Sequence, residues 1–600
     1  MMEAGKEEFL KEFGEGYGYP NAAKSIDQIR ATEFKRLDQN GTVYLDHAGA
    51  TLYSELQMEE VLKDLTSNVY GNPHSQSDSS SATAEIIREA RQQTLEYCNA
   101  SPKDYKCIFT SGATAALKLV GEAFPWSSSS TFMYTMENHN SVLGIREYAL
   151  NQGAASVAVD VQDTPQGISG GNASLVTISP RPVQRRNTPS SMPSELSDEA
   201  YNLFAFPSEC NFSGLRFSLD LVKLVKDDSE RFLAGSSFSK GPWMVLIDAA
   251  KGSATKPPDL SKYPADFVVI SFYKLFGYPT GLGALIVKND AAKVLTKTYF
   301  SGGTVAASFA DADFFRKRDS IEEAFEDGSA SFLSIASIRY GFKAINILTP
   351  PAICQHIACL TNYVKKVLSS LRHWNGVPVC KIYGIASTKV LCSNSGTIVS
   401  FNLKRPDESW VGYREVEKLA SLSCIQLRTG CFCNPGACAK YLGLSHQDLL
   451  SNLEAGHICW DDNDIIQGKP TGAIRISFGY MSTYEDAKKF IDLITNSFVS
   501  KSNECGIEDL VCRKLTPLLR EATGMETYPA ACHLKSITVY PIKSCGGFNV
   551  ERWPLSSTGL LYDREWLITS ITGEVLTQKK VPEMCLISTS IDLVEGVMHV

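Results

Sequence analysis

No stretch of this chain is both apolar and long enough to span a bilayer. The strongest candidate, Phe267 to Val287, is broken by Lys274, Gly277, Pro279 and Gly281. No membrane partner is therefore expected. A surplus of positive charge is missing too: 58 Lys and Arg stand against 66 Asp and Glu, a formal net charge of -8. Nucleic-acid binding usually needs a basic excess, so no such partner is expected either. Met1 to Glu15 is rich in Glu and Lys without an apolar core, unlike a secretory signal or an acid-poor transit peptide. The 17 cysteines are too thinly spread over 600 residues for a disulfide scaffold. They suit a reducing compartment with a few reactive thiols, and the expected location is cytoplasmic.

What is present reads as a soluble enzyme of several domains, since 600 residues exceed a single core. From Val43 to Val287, short apolar runs alternate with helical stretches such as Thr83 to Tyr97. The runs include Cys107 to Phe109, Phe132 to Tyr134, Leu175 to Ile178, Leu203 to Phe206, Met244 to Ile247, Phe267 to Ile270 and Leu285 to Val287. Near-continuous runs of this kind predict strands buried on both faces of a mostly parallel sheet in an α/β domain. Ligands of such folds gather at the strand ends. The second half of Asp163 to Ser197 is rich in Pro, Ser and Arg and reads as a surface insertion. Residues 301–500 read as a smaller α+β domain joined by residues 1–42, with 43–300 as the large domain. Residues 501–530 read as a linker, and 531–600 as a β-rich segment too short to close comfortably.

The chemistry centres on Lys274, placed after an apolar strand and followed by Gly277, Gly281 and Gly283. An ammonium there is costly unless neutral or covalently modified. A Schiff base with pyridoxal phosphate removes the cost, and Ser271 and Tyr273 offer hydroxyls to the phosphate. The alternative is a lysine that snorkels from a strand end. Asp248, at the end of the preceding strand, breaks the tie. A carboxylate against the pyridine nitrogen keeps that ring an electron acceptor. At ~4 Å and an effective dielectric of 20 the pair is worth about 4 kcal/mol. Thr110 to Thr114 follows a strand and opens a helix, offering amides to a phosphate. His139 could stack on the ring, and Asn211 could bond its hydroxyl.

The order of Ala113 and Thr114, His139, Asn211, Asp248 and Lys274 resembles the class V aminotransferase and cysteine desulfurase family. The resemblance implies a fold-type-I, aspartate aminotransferase-like α/β fold. It implies that Ala113, Thr114 and Ser271 bind phosphate and that Lys274 carries the coenzyme. Lys251 stands where that family has Gln, and Tyr273 where it has His. The loop Arg428-Thr-Gly430-Cys431-Phe-Cys433-Asn-Pro-Gly436-Ala-Cys438 selects the chemistry. Desulfuration needs a thiolate on a mobile segment, and a nearby cation such as Arg428 favours that thiolate. The spacing of Cys431, Cys433 and Cys438 also allows a zinc or iron–sulfur site, but no fourth ligand is evident and no metal is assigned. The Arg-Thr-Gly-x-x-Cys pattern maps the family's persulfide cysteine onto Cys433, and Arg475 onto the arginine that binds the substrate carboxylate. Tyr299 to Thr304 resembles a segment that reaches a neighbouring subunit's phosphate, implying a homodimer.

Tyr540-Pro-Ile-Lys543-Ser-Cys545-Gly with Asp563-Arg564-Glu-Trp566 resembles the β-barrel that precedes a MOSC domain. A desulfurase joined to that barrel resembles the molybdenum cofactor sulfurase family. The implied partners are L-cysteine, the molybdenum cofactor, and xanthine dehydrogenase and aldehyde oxidase as recipients. Lys535, Lys543, Arg552, Arg564, Lys579 and Lys580 could meet an anionic pterin phosphate or form a solvated face. The competing readings are a desulfurase for iron–sulfur assembly, a class V aminotransferase or lyase, and a non-catalytic adaptor.

Overall fold

The computed structural model describes residues 2–163, 176–183, 200–229, 241–384, 392–393, 396–458, 461–501, 536–556, 559–571, 573, 575–578, 580–593 and 595–600. Leu175, the insertion after Val183, residues 502–530 of the linker, Lys535 and Lys579 lie outside the described residues. The chain divides into two compact units, Met1–Leu519 and Arg520–Val600.

In the first unit, strand β1 (Val43–Tyr44) precedes a large sheet. Its members are β2 (Tyr105–Thr110), β3 (Thr131–Thr135), β4 (Ala155–Asp163), β5 (Val176–Pro182) and β6 (Asn202–Pro207). The short β7 (Arg216–Phe217) lies outside it, and β8 (Trp243–Asp248), β9 (Phe267–Ser271) and β10 (Gly283–Lys288) complete it. The order is β2-β10-β9-β8-β6-β3-β4-β5. The run from β9 through β8, β6 and β3 to β4 is parallel, and β10, β2 and β5 run against their neighbours. Alternate residues feed two cores. Phe204, Phe206, Val245 and Ile247 pack into one; Leu203, Ala205, Met244 and Leu246 pack into the other. Period-two alternation with both faces covered explains why these runs are apolar throughout. Because β3, β6, β8 and β9 are parallel, their carboxyl ends share one edge of the sheet.

After a hairpin, β11 (Val305–Ser308) with β12 (Phe315–Lys317), comes a second layer. It holds β13 (Cys380–Tyr383), β14 (Cys392–Ser393), β15 (Ile398–Leu403), β16 (Ile425–Gln426) and β17 (Arg428–Gly430). A small hairpin of β18 (Ile465–Ile466) and β19 (Lys469–Pro470) precedes β20 (Ala473–Ser477). The antiparallel order is β13-β15-β20-β17. The N-terminal segment joins this layer: β1 pairs with β16, and the buried Arg30 and Asp486 form an ion pair at 2.8 Å. No helix among the described residues is long and apolar enough to cross a membrane.

The second unit pairs β21 (Ile537–Val539) with β22 (Phe548–Val550) over a small core of Ile542, Cys545 and Met584. Around it, single bridges join Ile542 to Trp566 and Thr569 to Val575. Leu567 and Ile571 face solvent there, so little apolar burial reinforces a longer ladder.

Candidate active site

The carboxyl ends of β3, β6, β8 and β9 and the start of the helix Ala113–Ala123 enclose a cavity of about 280 Å³. Lys274 stands one turn beyond β9, in the short helix Phe272–Phe276. Gly277 closes that helix at φ 83°, and a Cβ there would sit 2.2 Å from the Tyr53 backbone nitrogen. Glycine is therefore required for the turn that presents the lysine. Burial lowers the Lys274 amine to about 8, although Asp248 pulls the other way. An amine this weakly basic is partly neutral near pH 7 and able to attack a carbonyl.

Asp248 ends β8 and lines the same cavity; its Oδ1 accepts the Ala250 amide N–H at 3.1 Å. Across the cavity, the helix Ala113–Ala123 begins at Gly112 with no side-chain cap. Its first intrahelical bonds are donated by Ala115 and Ala116, so the amides of Ala113 and Thr114 precede them. The Ser271 hydroxyl is buried without a hydrogen-bond partner. The Thr114 and Ser141 hydroxyls lie 2.9 Å apart. Open helix amides with an orphaned hydroxyl suit a phosphate, and a strand-end carboxylate facing an amine suits a pyridine ring and its aldehyde. These residues thus fit the expected pyridoxal phosphate. Tyr273 also lines the cavity, and burial raises its phenol.

His139 caps the helical turn Asn140–Leu143: its Nδ1 accepts the Ser141 amide N–H at 3.1 Å. Burial lowers its basicity, Lys274, Arg428 and Arg475 lower it further, and Asp248 opposes them. The neutral ring therefore carries its proton on Nε2. Asn211 faces two ways. Its Nδ2 donates to the Phe432 carbonyl at 2.7 Å, and its Oδ1 accepts from Arg475 at 2.8 Å. Arg475 is fully buried on β20. Its guanidinium also donates to Asp46 at 2.6 Å and lies 4.7 Å over the Phe432 ring. Its Nε is buried without a partner. Arg428 is the direct cross-strand neighbour of Arg475 in the β17–β20 ladder.

Cys433 is exposed at the tip of the loop after β17. Phe432 and Cys433 both adopt positive φ, 55° and 56°. Two successive left-handed side-chain residues cost about 1–2 kcal/mol each, so the surroundings must hold the turn. They do. The Asn140 amide donates to the Cys433 carbonyl at 2.8 Å, and Asn434 Nδ2 donates to the Glu137 carbonyl at 2.7 Å. Asn434 also caps the helix Pro435–Leu442. From that helix Lys440 reaches Glu137 at 2.9 Å and Asp160 at 2.6 Å. Cys431 and Cys438 are joined in a disulfide that brackets Cys433. The loop thus presents an exposed thiol from a turn tied by hydrogen bonds and a disulfide, and two of the three thiols weighed as metal ligands are paired with each other.

The profile described as Aminotransferase class-V matches residues 43–168 and 235–490, and that of the MOSC N-terminal beta barrel domain matches 531–600. The chain is 66% identical to the molybdenum cofactor sulfurase of Arabidopsis thaliana over 99% of its own length and 73% of that protein. It is 40% identical to that of Bos taurus over 97% of this chain and 70% of the other. The chain belongs to the molybdenum cofactor sulfurase family. Among solved structures, the cysteine desulfurase CsdA of Escherichia coli superposes with a TM-score of 0.54 at 18% identity, covering 78% of this chain and 97% of that one. The cystine C-S lyase C-DES, in complex with cysteine persulfide, superposes with a TM-score of 0.53 at 16% identity, covering 78% and 100%. These two place the first unit in the cysteine desulfurase fold.

For this sulfurase family member, the structure brings Ala113, Thr114, His139, Asn211, Asp248, Ser271, Tyr273 and Lys274 to one cavity. Arg475 joins them through Asn211, and Cys433 through the Asn140 amide. Sequence reasoning missed Asp46, the counter-ion of Arg475, although a carboxylate just after β1 was a visible signal. It also missed Glu137 and Lys440, whose pairing across 303 positions leaves no local pattern.

Proposed function

We propose that this chain removes sulfur from L-cysteine, stores it as a persulfide on Cys433, and passes it to the molybdenum cofactor of xanthine dehydrogenase and aldehyde oxidase. The observation that carries the reading is the attachment of the Cys433 loop, through Asn140 and Asn211, to the rim of the cavity that holds Lys274 and Asp248. Lys274 would hold pyridoxal phosphate, with its phosphate on Ala113, Thr114 and Ser271, its ring beside His139 and its nitrogen against Asp248. Bound there, the coenzyme supplies an electron sink that weakens bonds of the attached substrate.

The residues of the chain do the rest. Arg475 and Arg428 bind the substrate carboxylate, with Asn211 orienting Arg475. Lys274, once free, moves a proton to and from the substrate's α-carbon, and His139 Nε2 is placed to assist. The Cys433 thiolate attacks the substrate sulfur. A sulfur–sulfur bond forms, the carbon–sulfur bond breaks, its electron pair stays on carbon, and that carbon takes a proton to give alanine. In the Cys433→Ser variant, alanine formation from L-cysteine is expected to fall about a thousandfold or more and no persulfide to form. Alanine production at the normal rate would remove the assignment.

A homodimer accords with the same reading. Tyr299, Phe309 and Phe314 are exposed around the β11–β12 hairpin, where a second copy would cover them. Sedimentation equilibrium is expected to give twice the chain mass, and a Phe309→Asp, Phe314→Asp variant to give the single mass. In the second unit, Lys543, Arg552, Arg564 and Lys580 are the described members of the set of cations weighed for an anionic pterin. Cytoplasmic location completes the reading.

A further inference from the structure

The arginine assigned to the substrate carboxylate already holds a carboxylate of the chain. Arg475 is fully buried, and both terminal nitrogens of its guanidinium are engaged. Nη1 donates to the carbonyl and Oδ1 of Asn211, at 3.1 and 2.8 Å, and Nη2 donates to Asp46 Oδ1 at 2.6 Å. The Phe432 ring covers one face, 4.7 Å from the guanidinium carbon. A carboxylate binds a guanidinium best through two parallel N–H donors. Both two-donor edges, Nη1 with Nη2 and Nε with Nη2, include the nitrogen that Asp46 holds.

The backbone of Asp46 is fixed and its side chain is not sealed. It follows β1, bridges to Ser477 at the end of β20, and accepts the Gly49 and Ala50 amides on its carbonyl at 3.0 and 3.1 Å. Gly49 leaves room for the carboxylate, since a Cβ there would lie 2.4 Å from Asp46 Oδ2. The Asp46 side chain is 23% exposed, against 0% for Arg475. The carboxylate can therefore turn out to water while the guanidinium stays in place. Arg428 faces Arg475 directly across the β17–β20 ladder, where like charges repel. Among the described residues, Asp46 alone forms an ion pair with either cation. Two cations thus share one anion.

We propose that Asp46 is an internal stand-in for the substrate carboxylate: it holds Arg475 until L-cysteine displaces it, and so sets how tightly the site binds carboxylates. The inference rests on the functional reading above. Removing the charge of Asp46 leaves a buried guanidinium unpaired, which is costly. An incoming carboxylate restores the pair and recovers part of that cost, so binding strengthens. A residue that only oriented Arg475 would act in the opposite direction, because its loss would weaken binding.

The test compares the whole chain as wild type, Asp46→Asn, Asp46→Ser and Asp46→Glu. One readout is the KM for L-cysteine in alanine formation. The other is the Kd of propionate by calorimetry, a carboxylate without the amine or the thiol. Both constants are expected to fall about tenfold in Asp46→Asn and Asp46→Ser, and to stay near wild type in Asp46→Glu, which keeps the charge. Propionate is also expected to raise the melting temperature of the Asn and Ser variants more than that of wild type. A propionate affinity unchanged or weaker in both variants overturns the proposal, and a higher KM alongside it would leave Asp46 as a positioning residue for Arg475. A wild-type chain that forms no alanine fails the functional reading, while the propionate measurement still decides whether Asp46 competes with carboxylates for Arg475.

Discussion

The two halves of the site are held by different means. Lys274 and Asp248 stand at the ends of β9 and β8, strands whose every residue is buried, so their positions follow from the sheet. Cys433 sits on a turn of positive φ and owes its position to side-chain and backbone tethers, a cap and a disulfide. Ring chemistry needs a rigid frame, whereas the sulfur carrier of the proposed function needs its thiol left open. The lesson is that one half is protected by packing and the other by a few hydrogen bonds.

This contrast can be broken at its strongest point first. Lys274→Ala should lose the coenzyme's covalent absorbance and lower alanine formation by about a thousandfold or more, while the melting temperature changes little. A variant that keeps both absorbance and rate would remove the sheet-edge half of the comparison. A tenfold effect comes next. Because the Lys274 amine sits at about 8, it becomes neutral as pH rises through that value. Coenzyme loading onto the apo chain should accelerate about tenfold between pH 7 and pH 9 and then level off. A flat profile would show that amine protonation does not limit loading.

The smallest effect sharpens the tethered half. Asn434→Ala removes the cap of the helix Pro435–Leu442 and the bond to Glu137. The expected cost is about 1–2 kcal/mol in thermal unfolding, with a several-fold loss in alanine formation and an unchanged coenzyme spectrum. A change in the spectrum would mean that loop and ring pocket are not separable.

Much of the first unit was legible in the sequence because doubly buried strands write themselves as unbroken apolar runs. Lys274 and Asp248 could be read because charge at the end of such a run demands a reason. Cys433 could be read from its loop. The partners were not legible. Arg475 meets Asp46 from 429 positions away, and Lys440 meets Asp160 from 280 away, distances at which no local periodicity survives. Lys251 showed as a departure from the family pattern, but its buried company of Glu209, Arg216 and Thr397 did not. In the second unit, Trp566 and Val575 are paired only through single bridges, since alternation with little core to face carries little energy.

The open position of Cys433 sets a condition on whatever follows it in the cell. Cys98 and Cys107 are buried, and burial pushes Cys98 above the ordinary thiol range and Cys107 up to about 12, so both are chemically quiet. Under the proposed function, a sulfane sulfur on Cys433 would have no such shelter and would stand within reach of every small thiol in solution. Its lifetime would then be a race between hand-over and reductive loss as hydrogen sulfide, and productive turnover would require a recipient that arrives sooner than a small-thiol reductant does.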